Sequence, residues 1–164
     1  MNDYKDPDID FLQSQLTQIA VEARKLPWYK ERPWSTDSHV WREKGVPIID
    51  LHDLNTRLAR KVIKATGRKV GELETGCLCY VTGVGSHSMG DSPIAKMATG
   101  ILSDIASHNK WGFHPLGPGR LVIISDPEKA PDAATGKLGR IWWVGIAFFF
   151  VLFFFVLLRS CWPN

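Results

Sequence analysis

Apolar residues recur along the chain with two different spacings, and the spacing changes several times. In three stretches they return every three or four residues, which predicts amphipathic helices. In three shorter runs they cluster with β-branched residues, which predicts buried strands. The predicted helices cover residues 11–25, 54–66 and 93–107, and the predicted strands cover residues 46–52, 77–81 and 121–125.

The order of these elements predicts the fold class. It reads β-α-β-α-β, with one optional further strand before the last, and this alternation is typical of a small two-layer α/β sandwich. An N-terminal helix and an irregular, aromatic-rich arm precede the domain, and the first ten residues are expected to be frayed. The predicted parts are the helix and arm (1–45), the domain (46–126), a flexible tether (127–140) and a transmembrane helix (141–159).

The last apolar stretch, from Ile141 to Leu158, contains no charged residue and no proline. As a helix it would be ~27 Å long, close to the thickness of a bilayer core, which favours a transmembrane helix over a buried core element. Lys137 and Arg140 precede it and only Arg159 follows, so the N-terminal side is predicted to be cytosolic. The first residues are acidic and polar, unlike a signal peptide, and the layout predicts a tail-anchored, single-pass protein.

Composition adds little to this outline. The chain has 164 residues and a formal net charge of +3, too close to zero to indicate nucleic-acid binding by itself. Cys77 and Cys79 lie two residues apart on a predicted strand, so both thiols face one side, as buried free thiols in a reducing compartment would. With Cys161 as the third cysteine there is no disulfide framework, and no Cys-x-x-Cys pair suggests a structural zinc site.

Candidate chemistry begins where the predicted strand 77–81 ends. The strand runs into a Gly-x-Gly loop, and a helix start follows at Ser92-Pro93. Closely spaced glycines let backbone N–H groups approach an anion, and a helix N-terminus favours negative charge. A plain chain reversal is the alternative. The predicted phosphate-binding residues are Thr82, Gly83, Gly85, Ser86 and His87.

A second group of polar residues follows the predicted strand 46–52. Alternation places Asp50 and His52 on one face of this strand. Parallel strands open at the same sheet edge, so these side chains are expected to meet the glycine loop. His52 could then act as a general base or acid with Asp50 orienting it. The alternative is a strand histidine that merely satisfies a structural hydrogen bond.

The helix between the two strands is predicted to be strongly basic on one side. No acidic residue occurs between Asp53 and Glu72. A solvated basic face and a face that follows a phosphate backbone are both consistent with this pattern. The basic residues are Arg57, Arg60, Lys61, Lys64 and Arg68.

These motifs together resemble those of the Smr (small MutS-related) domain. The family's first strand carries L-D-L-H-G, matched by residues 49–53, and its second ends in a T/H-G-x-G loop, matched by residues 82–85. An F-x-P segment and a final G-x-x-x-V-x-L strand resemble residues 113–124. The resemblance covers residues 46–126, about half of the chain.

The resemblance implies a fold like the C-terminal domain of translation initiation factor three. It also implies nucleic-acid binding and, in many members, endonuclease activity, with Asp50, His52, Gly83 and Gly85 at the functional positions. The chain departs from the family twice. Asp53 stands where the family has glycine, and Val84 stands where the loop commonly carries Lys or Arg. Each change disfavours a polyanion by ~1 kcal/mol near a solvated surface.

Three functions follow as hypotheses. The first is a membrane-anchored Smr-type endonuclease that acts on RNA more readily than on DNA and requires no cofactor. The second is a non-catalytic module that recruits RNA, a ribosome or a protein partner to a membrane. The third is a divalent-metal hydrolase that would use His52 and His87 with one of three carboxylates, those of Asp50, Asp53 and Asp91.

Overall fold

One mixed five-stranded sheet organises the residues that the computed structural model describes, which are 6–83 and 92–136. Its strand order is β1-β2-β3-β5-β4. β2 and β3 are parallel, and the other three pairs are antiparallel. The strands are β1 (Val40–Glu43), β2 (Val46–Asp50), β3 (Cys77–Val81), β4 (Gly112–Gly117) and β5 (Arg120–Ile124).

Local sequence signals explain where the helices begin. Asp6, Asn55 and Ser92 each accept a hydrogen bond from a backbone N–H three residues further on, and a proline follows Asp6 and Ser92 directly. The three predicted helices are therefore confirmed, with small shifts at their ends. The helices are α1 (Pro7–Ala23), α2 (Thr36–His39), α3 (Thr56–Thr66), α4 (Pro93–Asn109) and α5 (Asp132–Thr135), and the 3₁₀ helix Gly67–Glu72 follows α3.

The α/β class predicted from the sequence is confirmed, and the optional strand is present. It is β4, which forms in the stretch 109–119 that the sequence pattern presents as turn-rich. Glycines and a proline mask its strand character, and pairing with β5 along Phe113 and His114 provides the hydrogen bonds that define it. The edge position tolerates Pro115, because a proline cannot donate to a neighbouring strand.

The sheet buries both faces. Leu78 and Tyr80 face the helical side, where α1, α3 and α4 pack, and Cys77 and Cys79 face the opposite side. Burial raises the pKa of each thiol to about 11. The second face is covered by residues 130–134, with Ala134 fully buried. The prediction of a flexible tether over 127–140 is therefore wrong up to residue 136.

The N-terminal region is also more ordered than the sequence suggested. β1 pairs with β2, so the arm predicted to be irregular contributes an edge strand to the sheet, and the predicted boundary at residue 46 passes between two paired strands. The frayed start is wrong from residue 6 onward. Asp6 caps α1, and Asp8 is buried beside Arg42.

Across residues 6–83 and 92–136, no helix combines the length and the apolar character needed to cross a bilayer. The stretch from Ile141 to Leu158, for which the transmembrane helix is predicted, lies outside these residues.

Candidate functional site

The candidate site lies where the parallel strands β2 and β3 end side by side. Asp50 is in register with Val81, and the amide of Leu51 donates to the carbonyl of Val81 at 2.9 Å. One residue further on, each strand turns away from the sheet. The crossover through α3 thus brings residues 50–53 and residues 82–83 to the same sheet edge, where ligands bind in open α/β folds.

Asp50 and His52 form a closely held pair at this edge. Asp50 Oδ1 accepts from the backbone N–H of His52 at 2.8 Å and lies 2.5 Å from His52 Nδ1. A carboxylate oxygen accepts hydrogen bonds, so this contact is a hydrogen bond in the tautomer that has its proton on Nδ1. The reactive ring nitrogen is therefore Nε2, which has no hydrogen-bond partner within the described parts of the chain.

Gly83 lies directly beneath that ring nitrogen. A Cβ at this position would stand 2.4 Å from His52 Nε2, and the residue has a φ of +78°. Both facts require glycine, because the side chain would collide with the imidazole and the left-handed backbone is costly for other residues. The imidazole therefore packs directly against the Gly83 backbone, in the space that a side chain would occupy, and about half of the imidazole side chain stays exposed to solvent.

Thr82 is the other described residue of the predicted phosphate site, and its polar groups are engaged elsewhere. Thr82 is buried, and its N–H and hydroxyl both donate to the carbonyl of Gly119, at 2.8 and 3.2 Å. A phosphate contact would have to replace a hydrogen bond that fixes the start of the loop. Gly85, Ser86 and His87 lie outside the described residues.

Two tryptophans of the arm hold the backbone on either side of His52. Trp34 Nε1 donates to the carbonyl of Asp50, and Trp28 Nε1 donates to the carbonyl of Asp53, each at 2.8 Å. Trp34 is almost fully buried, so its ring packs into the domain and is not available to stack on bases. Sequence reasoning missed these contacts, because only the folded arm brings the indoles to the site.

Asp53 has a left-handed backbone conformation, which a glycine would adopt at lower cost. Its φ is +63°, a left-handed value that aspartate tolerates better than most residues. Its carboxylate faces the arm, 3.7 Å from Arg32 Nη1 and 4.0 Å from Nε2 of His39. The neighbouring guanidinium offsets a charge that would otherwise repel a polyanion at this edge.

The basic face of α3 is divided into two rows. Glu22 of α1 accepts from Lys61 Nζ at 2.7 and 2.8 Å and lies 3.7 Å from Arg57. The hydrogen bond from Lys61 lowers the pKa of the Glu22 carboxyl. Within the described parts of the chain, the other row forms no ion pair, and all its members are exposed. That row consists of Arg60, Lys64 and Arg68.

A metal centre has little support among the residues described. Within 6–83 and 92–136, no group of three His, Cys, Asp or Glu side chains is placed to hold an ion. The set considered from the sequence includes His87 and Asp91, which lie outside these ranges. Asp50, His52 and Asp53 remain as donors, but the Asp50 carboxylate is engaged by His52 and the Asp53 carboxylate faces the arm.

The chain matches no protein-family model, no curated protein and no solved structure. No residue role can therefore be transferred from a relative. What the site can do chemically follows from the proton on Nδ1 of His52, the open Nε2 and the bare backbone of Gly83.

Proposed function

We propose that this protein is a membrane-anchored Smr-type endonuclease that binds nucleic acid and cleaves phosphodiester bonds, RNA in preference to DNA. The position of His52 carries the proposal: Nε2 faces Gly83, while Asp50 holds the opposite ring nitrogen. An imidazole oriented by a carboxylate and open at its other nitrogen is suited to proton transfer. Because the ring covers Gly83, a phosphate reaches Nε2 from the exposed side of the imidazole, which keeps 48% of the side chain open to solvent.

On RNA, Nε2 of His52 accepts the proton of a 2′-hydroxyl, and the 2′-oxygen attacks the adjacent phosphorus. The bond from phosphorus to the 5′-oxygen of the next nucleotide breaks, and that oxygen takes up a proton. The products are a 2′,3′-cyclic phosphate and a 5′-hydroxyl end. Asp50 stabilises the imidazolium that His52 becomes, and no metal is needed because the substrate supplies the nucleophile.

Two observations support the resemblance to Smr domains. Along residues 46–126 the elements follow the order β-α-β-α-β-β, and the two motifs end neighbouring parallel strands. Asp53 has a left-handed backbone conformation, and glycine adopts that conformation more easily than any other residue, which accounts for the glycine of the family at this position. The departure at Asp53 is thus compatible with the same loop geometry.

Cleavage of a labelled single-stranded RNA by the full chain, in EDTA, tests the proposal. We expect His52→Ala to lower the rate by about 10²- to 10⁴-fold, the range for a positioned general base. His114→Ala is the matched control, because His114 lies on the distant edge strand β4 and bonds to Ala134. Equal activity of the wild type and His52→Ala would remove His52 from the mechanism, and a DNA oligonucleotide of the same sequence tests the preference for RNA.

A second candidate function is a non-catalytic module that binds RNA, a ribosome or a protein partner at a membrane. The carboxylate of Asp53 near the site favours it, as does Val84 in place of a cation in the loop sequence. RNA binding without cleavage in EDTA, Mg²⁺ or Mn²⁺ would decide for this module, and cleavage that requires a metal would decide for a metal-dependent hydrolase instead.

The membrane part of the proposal rests on the apolar stretch from Ile141 to Leu158. We expect the protein to stay with the membrane pellet after alkaline carbonate extraction, with the N-terminal domain open to added protease from the cytosolic side. Release into the supernatant would contradict a transmembrane anchor while leaving the nuclease proposal untouched.

A further inference from the structure

We infer that the row formed by Arg60, Lys64 and Arg68, together with the cleft at its far end, binds a single-stranded segment of RNA that leads away from the His52 edge. This inference rests on the proposed function and specifies how its substrate is held. It also separates the five basic residues of the sequence into a binding row and a structural row.

The geometry of the row suits a chain of phosphates. Arg60 and Lys64 are four residues apart on α3, so they lie about 6 Å apart along its axis, a step comparable with that between successive phosphates of an extended strand. Arg68 follows in the 3₁₀ helix. All three are exposed, and none forms an ion pair with another described residue. By contrast, Lys61 and Arg57 share the single carboxylate of Glu22, and Lys61, which hydrogen-bonds it at 2.7 Å, is compensated within the fold.

A cleft of about 490 Å³ lies at the end of the row, where the 3₁₀ helix meets the C-terminal half of α4. It is large enough for one nucleotide. Arg68 and His108 provide cationic or donor groups, and Ile105 supplies an apolar contact for a base. The cleft is lined by Arg68, Asp104, Ile105, His108 and Asn109.

The polar groups of the cleft favour a base over a second phosphate. The carboxylate of Asp104 would repel a phosphate but can accept from the exocyclic amino group of a base. The amide nitrogen of Asn109 donates to the carbonyl of Ile105 at 2.8 Å, which leaves its oxygen as an acceptor. A base enters such a recess only when unstacked, and this requirement selects single-stranded RNA over a duplex.

The order of residues along the chain shows which end of the row lies near His52 and which lies at the cleft. α3 begins at Thr56, four residues after His52, so Arg60 lies nearer the catalytic edge than Arg68 does. Arg68 lies in the 3₁₀ helix beyond the end of α3 and lines the cleft. A strand on this row would therefore run from the scissile phosphate towards the cleft.

The salt dependence of RNA binding by the full chain tests the inference, with fluorescently labelled single-stranded RNA and fluorescence anisotropy as the readout. We expect Arg60→Gln, Lys64→Gln and Arg68→Gln each to reduce the slope of log K against log salt by about 0.7. Lys61→Gln is the matched control on the same helix, because its charge is paired with Glu22, and it should leave the slope unchanged. Thermal melting of each variant checks that it folds.

The cleft is tested separately with a short RNA and a longer one. His108→Ala should weaken binding of the longer RNA by about fivefold, because the imidazole no longer contacts the base in the cleft, and should leave the short RNA unaffected. A duplex of the same sequence should bind more weakly than the single strand, and His108→Ala should not change its affinity.

Equal slope losses in the two rows would overturn the inference, as would equal affinity for single strand and duplex, or tighter binding of an acidic peptide than of RNA. These outcomes differ from failure of the proposed nuclease, which appears as absent cleavage while the binding by Arg60, Lys64 and Arg68 persists. A wild-type chain that binds no RNA would overturn both.

Discussion

Two aspartates in this molecule are held by strong hydrogen bonds, and they differ in what they leave open. Asp8 is only 2% exposed and accepts from Glu74 N, Thr75 N, Thr75 Oγ1 and Arg42 Nη2 at 2.7 to 3.3 Å. Asp50 keeps 20% of its side chain exposed, and its partner His52 keeps 48% exposed.

The comparison separates a structural carboxylate from a functional one. Every partner of Asp8 belongs to the fold, so its hydrogen bonds tie α1 to β1 and to the turn before β3, and no polar atom is left for a ligand. The Asp50–His52 pair ends in a ring nitrogen with no partner among the described residues, beside a glycine that has no side chain. A carboxylate that orients an open group is the arrangement expected of a catalytic pair.

The largest expected effect is on cleavage, from Asp50→Asn. The amide oxygen would take the place of Oδ1, which contacts both the backbone N–H and Nδ1 of His52, but a neutral amide would not stabilise the imidazolium that His52 becomes. We expect the cleavage rate in EDTA to fall by about 10²- to 10⁴-fold, with the free energy of unfolding changed by no more than about 1 kcal/mol. A large loss of stability with unchanged specific activity would assign Asp50 to the structural class.

Asp8→Ala should have the opposite profile. Removing this carboxylate leaves the amides of Glu74 and Thr75 without partners, and we expect the free energy of unfolding to fall by about 3 kcal/mol. Urea unfolding measures this loss, and cleavage per folded molecule should stay unchanged. Asp37→Ala, at an exposed aspartate of α2, is the control and should cost less than about 0.5 kcal/mol.

Gly83→Ala tests the open side of the functional pair. The new Cβ would collide with His52 Nε2 on a left-handed backbone, so we expect a loss of about 1–3 kcal/mol in stability together with reduced cleavage. The control is Gly100→Ala on the exposed face of α4, where a Cβ meets nothing within 4 Å. That variant should be more stable than the wild type by about 0.5–1 kcal/mol. A neutral Gly83→Ala would mean that the imidazole is not held over this residue.

The smallest expected effect is on the stability in acid, and it comes from Asp6, which binds Arg42 beside Asp8. Hydrogen bonds from Arg42 hold the pKa of Asp6 below its ordinary value of 3.8. The unfolded chain therefore takes up this proton first as the pH falls, so the stabilisation is complete above the ordinary pKa and is lost as the pH falls through the lower, folded value. We expect Asp6→Asn to cost about 1 kcal/mol at pH 6 and progressively less as the pH falls below 3.8, as measured by urea unfolding. An equal cost throughout this pH range would contradict this linkage.

The same contrast shows which features could be predicted. The Asp50–His52 pair joins residues two apart, so strand alternation was enough to propose it. The role of Asp8 could not be foreseen, because its partners at residues 74 and 75 are more than sixty positions away in the chain. For the same reason the acidic start of the chain is predicted to be frayed. The sequence of β1 has no strand pattern of its own, and the strand forms because it pairs with β2.

The sequence by itself determined the three long helices, three of the five strands and the α/β class, because apolar periodicity, helix caps and glycines act over a few residues. It also placed residues 50–53 and 82–83 after two strands. Only the tertiary structure decided that Gly83 lies under His52, that Trp28 and Trp34 hold the backbone around it, and that Glu22 contacts one basic row and not the other. Those outcomes depend on strand register and on the packing of helices distant in the chain, which local physical chemistry does not specify.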